Sequence, residues 1–420
     1  MWPRKQLDID WADFAFGLRS ILRPTRCRDT EILPSGWIPI DEELVSLSVR
    51  TGWDLFLTAL GLPPGSEIIM SSVTIPDMAR IVQHHGLVSV PVDVDAGRLE
   101  PDLDEFEQSI SPRTRAILVA HLFGSRIDMT PIIDVARQHR LLVIEDCAQA
   151  FVGRAYCGHP DSDCSMFSFG PIKTATALGG AVLRVRDGDL LEKMALLQHA
   201  YPLQSKRAYL ARLSKYLSFR VLCKRLAYGA LVLGYRALGI DYDAAFSHAA
   251  HSFGQSNFFD RIRRRPCGPL LGMLERRLKR FEQRGLGRLE HRAACGRELA
   301  RILPAGMVVG AENSSHTYWA LPARVANRQE VLTALRAAGF DATARSSLVP
   351  IAGPHDGLTN GHRRATWLEE TIFLPNGDDM PDDEWQRMSL ILRDVARPVP
   401  ISEPRAARQR FKPSRVSVPL

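Results

Sequence analysis

From about residue 50 to residue 187, short apolar runs alternate with amphipathic stretches. Positions 51–60 repeat apolar residues at helical spacing and stop at Gly61 and the Pro63-Pro64-Gly65 turn, which predicts a helix with a defined end. Residues 67–71 form a short apolar run of the strand type, and 74–85 return to helical spacing up to Gly86. The same alternation predicts strands at 87–93, 115–121, 141–146, 166–169 and 181–186, with helices at 101–110 and 129–139. Runs such as Ala116-Ile117-Leu118-Val119-Ala120 have no polar alternation, so both of their faces are expected to be buried. Strands of that kind separated by helices predict an α/β domain on a mostly parallel central sheet.

The regularity breaks near residue 203. A helical region is predicted at 270–302, with an interruption at Gly285-Leu286-Gly287, followed by an apolar segment at 318–322 and helices at 328–338 and 381–395. These last elements predict a smaller α+β domain. The chain therefore divides into an N-terminal segment (1–45), a large domain (46–202), a basic and aromatic helical insertion (203–260), a helical connection with a small C-terminal domain (261–398), and a basic tail (399–420) expected to lack order. No internal repeat is present.

A chain of 420 residues with 45% hydrophobic and 24% charged residues can bury its cores without staples. The seven cysteines form no CxxC pair, which argues against a disulfide framework and for a reducing, cytoplasmic setting. No run reaches the roughly 18 apolar residues that cross a bilayer, and the N-terminus has no signal-peptide pattern. The net charge of +7 favours anionic partners. The arginines of 261–292 lie among Glu and Leu at helical spacing, which reads as a solvated helix face rather than a nucleic-acid surface. No metal-ligand pattern stands out.

The chemistry concentrates in two segments. Val143-Ile144-Glu145-Asp146 is a buried apolar strand that ends on a carboxylate, where open α/β sheets turn groups toward a ligand. Ser168-Phe169-Gly170-Pro171-Ile172-Lys173 places a lysine in a turn after another strand, before Gly179-Gly180. A carboxylate facing a pyridine nitrogen, a lysine amine that captures an aldehyde, and hydroxyl or backbone N–H groups at a helix start are what pyridoxal 5′-phosphate (PLP) requires. Singly each has a bland reading: a surface lysine, a turn aspartate, a buried serine.

Taken together, the segment 51–187 resembles the DegT/DnrJ type of nucleotide-sugar aminotransferase, PLP enzymes of fold type I. The resemblance rests on Glu145-Asp146-Cys147-Ala148-Gln149, Ser168-Phe169, Ile172-Lys173 and Gly179-Gly180. It extends upstream to Pro64-Gly65-Ser66-Glu67-Ile68-Ile69, Ser111-Pro112-Arg113-Thr114-Arg115-Ala116-Ile117, and His121-Leu122-Phe123-Gly124 with Asp128-Met129. It implies that Lys173 is the Schiff-base lysine, that Asp146 faces the pyridine nitrogen, and that Gln149 lies at the cofactor face. It further implies phosphate contacts from Ser168 and the Gly52-Trp53 backbone, and a homodimer. The substrates it implies are an amino donor, glutamate foremost, and a keto sugar on a nucleotide or other carrier. His121 and Arg345 are candidate substrate contacts.

Three departures stand out. Trp53 replaces a small hydroxylated residue, Ile75 stands where an aromatic ring stacks on the cofactor, and the Asn that the family lends across the dimer to the phosphate has no counterpart near Arg263-Arg264-Arg265-Pro266-Cys267. An arginine of that run is a candidate replacement for the Asn as anion ligand. The alternatives are a PLP-dependent sugar dehydratase or eliminase, and a non-catalytic relative that serves as a membrane-docked binding module. Residues 203–240 contain no Asp or Glu, and interleave Lys206, Arg207, Arg212, Lys215, Arg220, Lys224 and Arg225 with Tyr209, Tyr216, Phe219, Tyr228 and Tyr235. Two readings fit: a helix lying on an anionic membrane with cations and aromatics at the boundary, or a helical hairpin packed on the protein itself or on a partner subunit.

Overall fold

The computed structural model describes residues 1–4, 7–22, 37–245, 257–353, 365–377 and 379–399. The tail expected at 399–420 lies almost wholly outside the described residues. In chain order the large domain comprises α1 (Trp11–Leu22), β1 (Glu43–Ser46), α2 (Val49–Leu60), β2 (Glu67–Ser71), β3 (Val73–Thr74), α3 (Pro76–His84), β4 (Val88–Val92), α4 (Leu103–Gln108), β5 (Thr114–Ala120), α5 (Thr130–Gln138), β6 (Leu142–Asp146), β7 (Cys164–Ser168), β8 (Ala181–Val185) and α6 (Gly188–His199). Among the described residues seven of these strands form one sheet in the order β1-β8-β7-β6-β5-β2-β4. The pairs β2–β4, β2–β5, β5–β6 and β6–β7 are parallel, while β8 runs antiparallel to both β7 and β1. The expected mostly parallel sheet is present.

The sheet is covered on both faces because its strands are apolar on both. One layer packs α2, α3 and α6 on Leu118, Ile144, Met166 and Leu183; α5 covers Ile117, Val119 and Val143. A second cluster gathers Phe14, Phe151, Phe167, Phe169 and Phe281. The structure departs from the sequence expectation in three places, one being α6, which the pattern did not predict. The start of the predicted 74–85 helix is extended as β3, because Pro76 opens the helix at its first turn and biases the residue before it away from helical angles. The N-terminal segment, given no elements by the sequence pattern, carries β1, which closes the sheet edge, and Trp2 bridges Phe340 in the C-terminal core.

The insertion folds as α7 (Lys206–Leu222) and α8 (Arg225–Ala237), followed by the short α9 (Phe258–Ile262). Tyr209, Leu213 and Tyr216, at i, i+4 and i+7, are buried in the core shared with α1 and with α10 (Gly268–Arg284). Three of the tyrosines expected at a membrane boundary, Tyr209, Tyr216 and Tyr228, are thus inside, and Tyr235 is half-buried. The hairpin packs on the protein's own surface.

α11 (Leu286–Ile302) follows α10 across Gly285, where the interruption was expected. Beyond it β9 (Leu321–Arg324), α12 (Arg328–Ala337), β10 (Val349–Pro350), β11 (Thr371–Leu374) and α13 (Asp382–Val395) complete the smaller unit. β9 and β11 pair antiparallel over a core that includes Phe340, Ile372 and Met388, while β10 pairs with β3 of the large domain. Among the described residues no helix is long and apolar enough to cross a membrane.

Candidate active site

Asp146 reaches its position through the sheet. β6 pairs with β5 so that Ala120 faces Asp146, and the His121 N–H donates to the Asp146 carbonyl at 3.1 Å. One carboxylate oxygen accepts from the Ala148 N–H at 3.0 Å. Burial pushes the Asp146 carboxyl above its usual range, and nearby Lys173 offsets part of that rise. A carboxylate so placed is ready for a cationic nitrogen.

The preceding residue, Glu145, points into the protein instead. It accepts from His121 Nε2 at 2.9 Å, Ser165 Oγ at 2.9 Å and the His159 N–H at 2.8 Å, and Tyr156 donates its hydroxyl as well. Burial alone would raise this carboxyl, but those donors outweigh it and hold it at about 2. The Ile127 N–H donates to His121 Nδ1, which leaves Nε2 as the donor to Glu145. His121 therefore forms part of the wall behind Asp146, with both ring nitrogens engaged.

Lys173 sits in a loop whose backbone is strained. Ala175 and Leu178 have φ of 52° and 63°, a left-handed region that costs L-residues of order 1–3 kcal/mol each. Compensation comes from Asp8 outside the loop and from Thr176 within it. The Ala175 N–H donates to Asp8 Oδ2 at 2.6 Å, Thr176 Oγ1 donates to the Gly170 carbonyl at 2.6 Å, and the Leu178 N–H donates to Thr176 Oγ1 at 2.9 Å. Asp8 is ion-paired with Arg277 and Arg288, which overcome the effect of burial and keep it ionised. The N-terminal segment thus straps the lysine loop to α10.

Two cavities meet at Lys173. The smaller, of about 200 Å³, is walled by Ser48, Val49, Asp146, Ser168, Gly179 and Arg212. The larger, of about 420 Å³, is rich in arginine: Arg4, Arg220, Arg288, Arg292 and Arg345 stand against Asp8 and Asp379. Ile75, Gln149, Lys173 and Arg345 border both. Ser48 caps α2 by accepting from the Thr51 N–H, so the positive end of that helix faces the smaller cavity. Gln149 Oε1 accepts from the Phe123 N–H at 2.7 Å, which turns its amide NH2 away from that contact.

The sequence expectations divide at this point. Lys173, Asp146, Gln149 and Ser168 come together, and Arg345 stands at the shared mouth with Asp241 at 2.9 Å. Gly52 and Trp53 do not join them. The Gly52 N–H is spent on the Ser48 carbonyl inside α2, and Trp53 is fully buried against Phe56 with its Nε1 donating to the Met78 carbonyl. Helical geometry explains the correction, because residues one turn into a helix no longer have free N–H groups. Arg263 pairs with Asp54 at 2.8 Å, and Arg265 donates to the Tyr201 carbonyl, so neither faces the cavity.

Two lining residues escaped the sequence reading. Lys173 Nζ lies 4.3 Å from the centre of the Trp319 ring, whose Nε1 donates to the Ile172 carbonyl. Gly124 makes this approach possible. Its φ is 98°, and a Cβ there would stand 2.6 Å from the Trp319 backbone nitrogen. The other is Arg212, whose signal was a cation on the buried stripe of Tyr209, Leu213 and Tyr216.

Residues 46–216 match the DegT/DnrJ/EryC1/StrS aminotransferase family. The chain carries a domain of that family. GDP-perosamine synthase of Caulobacter vibrioides is 42% identical over 151 residues, which are 35% of this chain and 40% of that protein. The UDP-4-amino-4-deoxy-L-arabinose–oxoglutarate aminotransferase of Shewanella sediminis is 34% identical over 187 residues, 40% of this chain and 48% of that one. The chain thus spans less than half the length of these curated relatives. Among solved structures, the aminotransferase TlmJ of Streptoalloteichus hindustanus has a TM-score of 0.66 at 18% identity and covers 94% of this chain and 98% of its own. The sugar aminotransferase Spr1654 of Streptococcus pneumoniae, at 16% identity, also has a TM-score of 0.66 and covers 94% and 97%. The DegT/DnrJ/EryC1/StrS domain and the elements beyond it share the type I fold of these aminotransferases.

Proposed function

We propose that the protein is a PLP-dependent aminotransferase that moves an amino group, from glutamate foremost, to a keto sugar on a phosphorylated carrier. The observation that carries this reading is Lys173 at the junction of two cavities, one closed by Asp146 and the other lined by arginines. The smaller cavity fits the cofactor in the chemistry of its walls. Its walls include the Asp146 carboxylate, the N-terminus of α2 with Ser48, the Ser168 hydroxyl and the Lys173 amine. When bound, PLP supplies an aldehyde that captures amines and a protonated ring that takes up electrons.

The chain's own residues then have distinct tasks. Lys173 offers its amine as the covalent anchor and, once released, moves a proton at the substrate carbon that loses or gains the amino group. Asp146, as a carboxylate, holds the proton on the ring nitrogen. Trp319 and Ile75 keep water from the amine, and the Asp8 strap keeps the loop in its strained form. The arginines of the larger cavity favour a substrate that carries phosphate. An intact Lys173 favours transamination over dehydration or a non-catalytic role. Lys173→Ala should abolish both the yellow colour of protein incubated with PLP and turnover with glutamate; a wild type that stays colourless would end this reading.

The assembly in this proposal is the homodimer that the resemblance implies, in the cytoplasm. Its surface adds a peripheral contact with anionic lipid. Leu226 and Leu233, at i and i+7 of α8, are 89% and 64% exposed, and Leu238 beyond the helix is 75% exposed. Exposed Lys224, Arg225 and Arg236 flank them, and no acidic residue occurs in 203–240. An apolar stripe bordered by cations suits an interface of negative headgroups.

A further inference from the structure

We propose that Arg212, supplied by the chain's own insertion, is the cation that holds the phosphate of the bound cofactor. This inference rests on the PLP reading above.

Place comes first. Arg212 lines the smaller cavity together with Ser48, Val49, Ser168, Gly179 and Gly180. Its guanidinium lies against the backbone of Gly179, where a Cβ would stand 2.9 Å from Nη1 and push the guanidinium aside. Nη1 donates to the Leu178 carbonyl at 3.2 Å, and Tyr209, one helical turn away, donates its hydroxyl to the Ala177 carbonyl at 3.1 Å. These two contacts fasten α7 to the loop that carries Lys173. Leu213 and Tyr216 bury the rest of the same helix face, so Arg212 is held in position before any ligand arrives.

Charge gives the second argument. The other arginines that line the smaller cavity have carboxylates: Arg50 meets Asp77 at 2.5 Å and Arg345 meets Asp241 at 2.9 Å. Arg212 has none among the described residues. The ionisable groups facing it are Tyr209, Tyr216 and Cys267, and burial depresses its pKa. The same cavity receives the positive end of α2 and the amine of Lys173. Two cationic elements held beside each other in a poorly hydrated space repel unless an anion lies between them. A guanidinium fork and helix N–H groups together suit a phosphate monoester, which offers several acceptor oxygens and up to two negative charges.

The insertion thereby becomes part of the site. The arginines of the 263–265 run, the sequence's candidates for this role, are engaged elsewhere. α7 instead brings a cation into the cavity from within the same subunit.

The test compares wild type, Arg212→Gln and Arg212→Lys, each stripped of cofactor, in equilibrium titrations followed by absorbance with PLP and with phosphate-free pyridoxal. Loss of a charge-assisted contact should weaken PLP roughly ten- to hundredfold in Arg212→Gln and less in Arg212→Lys, with pyridoxal affinity unchanged. Equal PLP affinity in all three proteins, or equal loss for PLP and pyridoxal, would overturn the assignment, since a purely structural residue affects both ligands alike. Inorganic phosphate, read by the thermal midpoint, separates the two readings. If wild type takes no PLP, the cofactor reading falls. Phosphate stabilisation lost in Arg212→Gln would still support an anion seat there, and stabilisation equal in both would overturn it.

Discussion

Glu145 offers a quantitative test of how the sheet supports Asp146. Its four hydrogen-bond partners, His121 Nε2, Tyr156 Oη, Ser165 Oγ and the His159 N–H, are all donors. In Glu145→Gln the shape is kept, but one acceptor oxygen becomes an NH2 group that must face two donors. The carboxyl is held at about 2 against an ordinary 4.5. At about 1.4 kcal/mol per pH unit, that difference stabilises the fold by roughly 3 kcal/mol at neutral pH. The sign follows from the depressed value: the contribution is complete above 4.5 and is lost as pH falls through about 2. Urea unfolding of wild type and Glu145→Gln, followed by far-ultraviolet circular dichroism at several pH values, should therefore give a gap of roughly 3 kcal/mol at pH 7. The gap should shrink to less than half by about pH 3, as the wild-type carboxyl takes up its proton in the unfolded chain. Equal unfolding midpoints at pH 7, or a gap that does not narrow in acid, would refute the reasoning.

Asp146→Asn should still bind PLP but lose turnover by at least about a hundredfold, because an amide cannot keep the ring nitrogen protonated and such preorganised charge is worth several kcal/mol; steady-state rates beside an absorbance spectrum check both halves. The wild type should float with vesicles containing phosphatidylserine and not with pure phosphatidylcholine. Leu226→Glu with Leu233→Glu should abolish flotation without changing turnover of a soluble substrate, whereas flotation retained in the double variant would remove α8 as the docking face.

What the linear chain determined by itself was local. Apolar periodicity placed six strands of the large domain within a few residues, though not β1 or β3, since a strand buried on both faces has no choice but to be apolar throughout. The strand-end Asp146 and the turn lysine Lys173 were legible because their neighbours, Glu145 and Gly179-Gly180, stand beside them in sequence. Trp319 was not legible. It meets Lys173 only because Gly124 lets the Thr317–Ala320 backbone approach, a contact between residues about two hundred positions apart. Gly52 and Trp53 were assigned by position along a helix, and the α2 hydrogen bonds and the direction of the indole decided otherwise. Residues 203–240 were ambiguous for the same reason: a basic, aromatic helix has one pattern whether its tyrosines face lipid or a core. Packing against α1 and α10 buried Tyr209 and Tyr216, left the leucines of α8 in solvent, and turned Arg212 toward the cavity. Side-chain burial depends on what lies opposite, and only the tertiary structure supplies that.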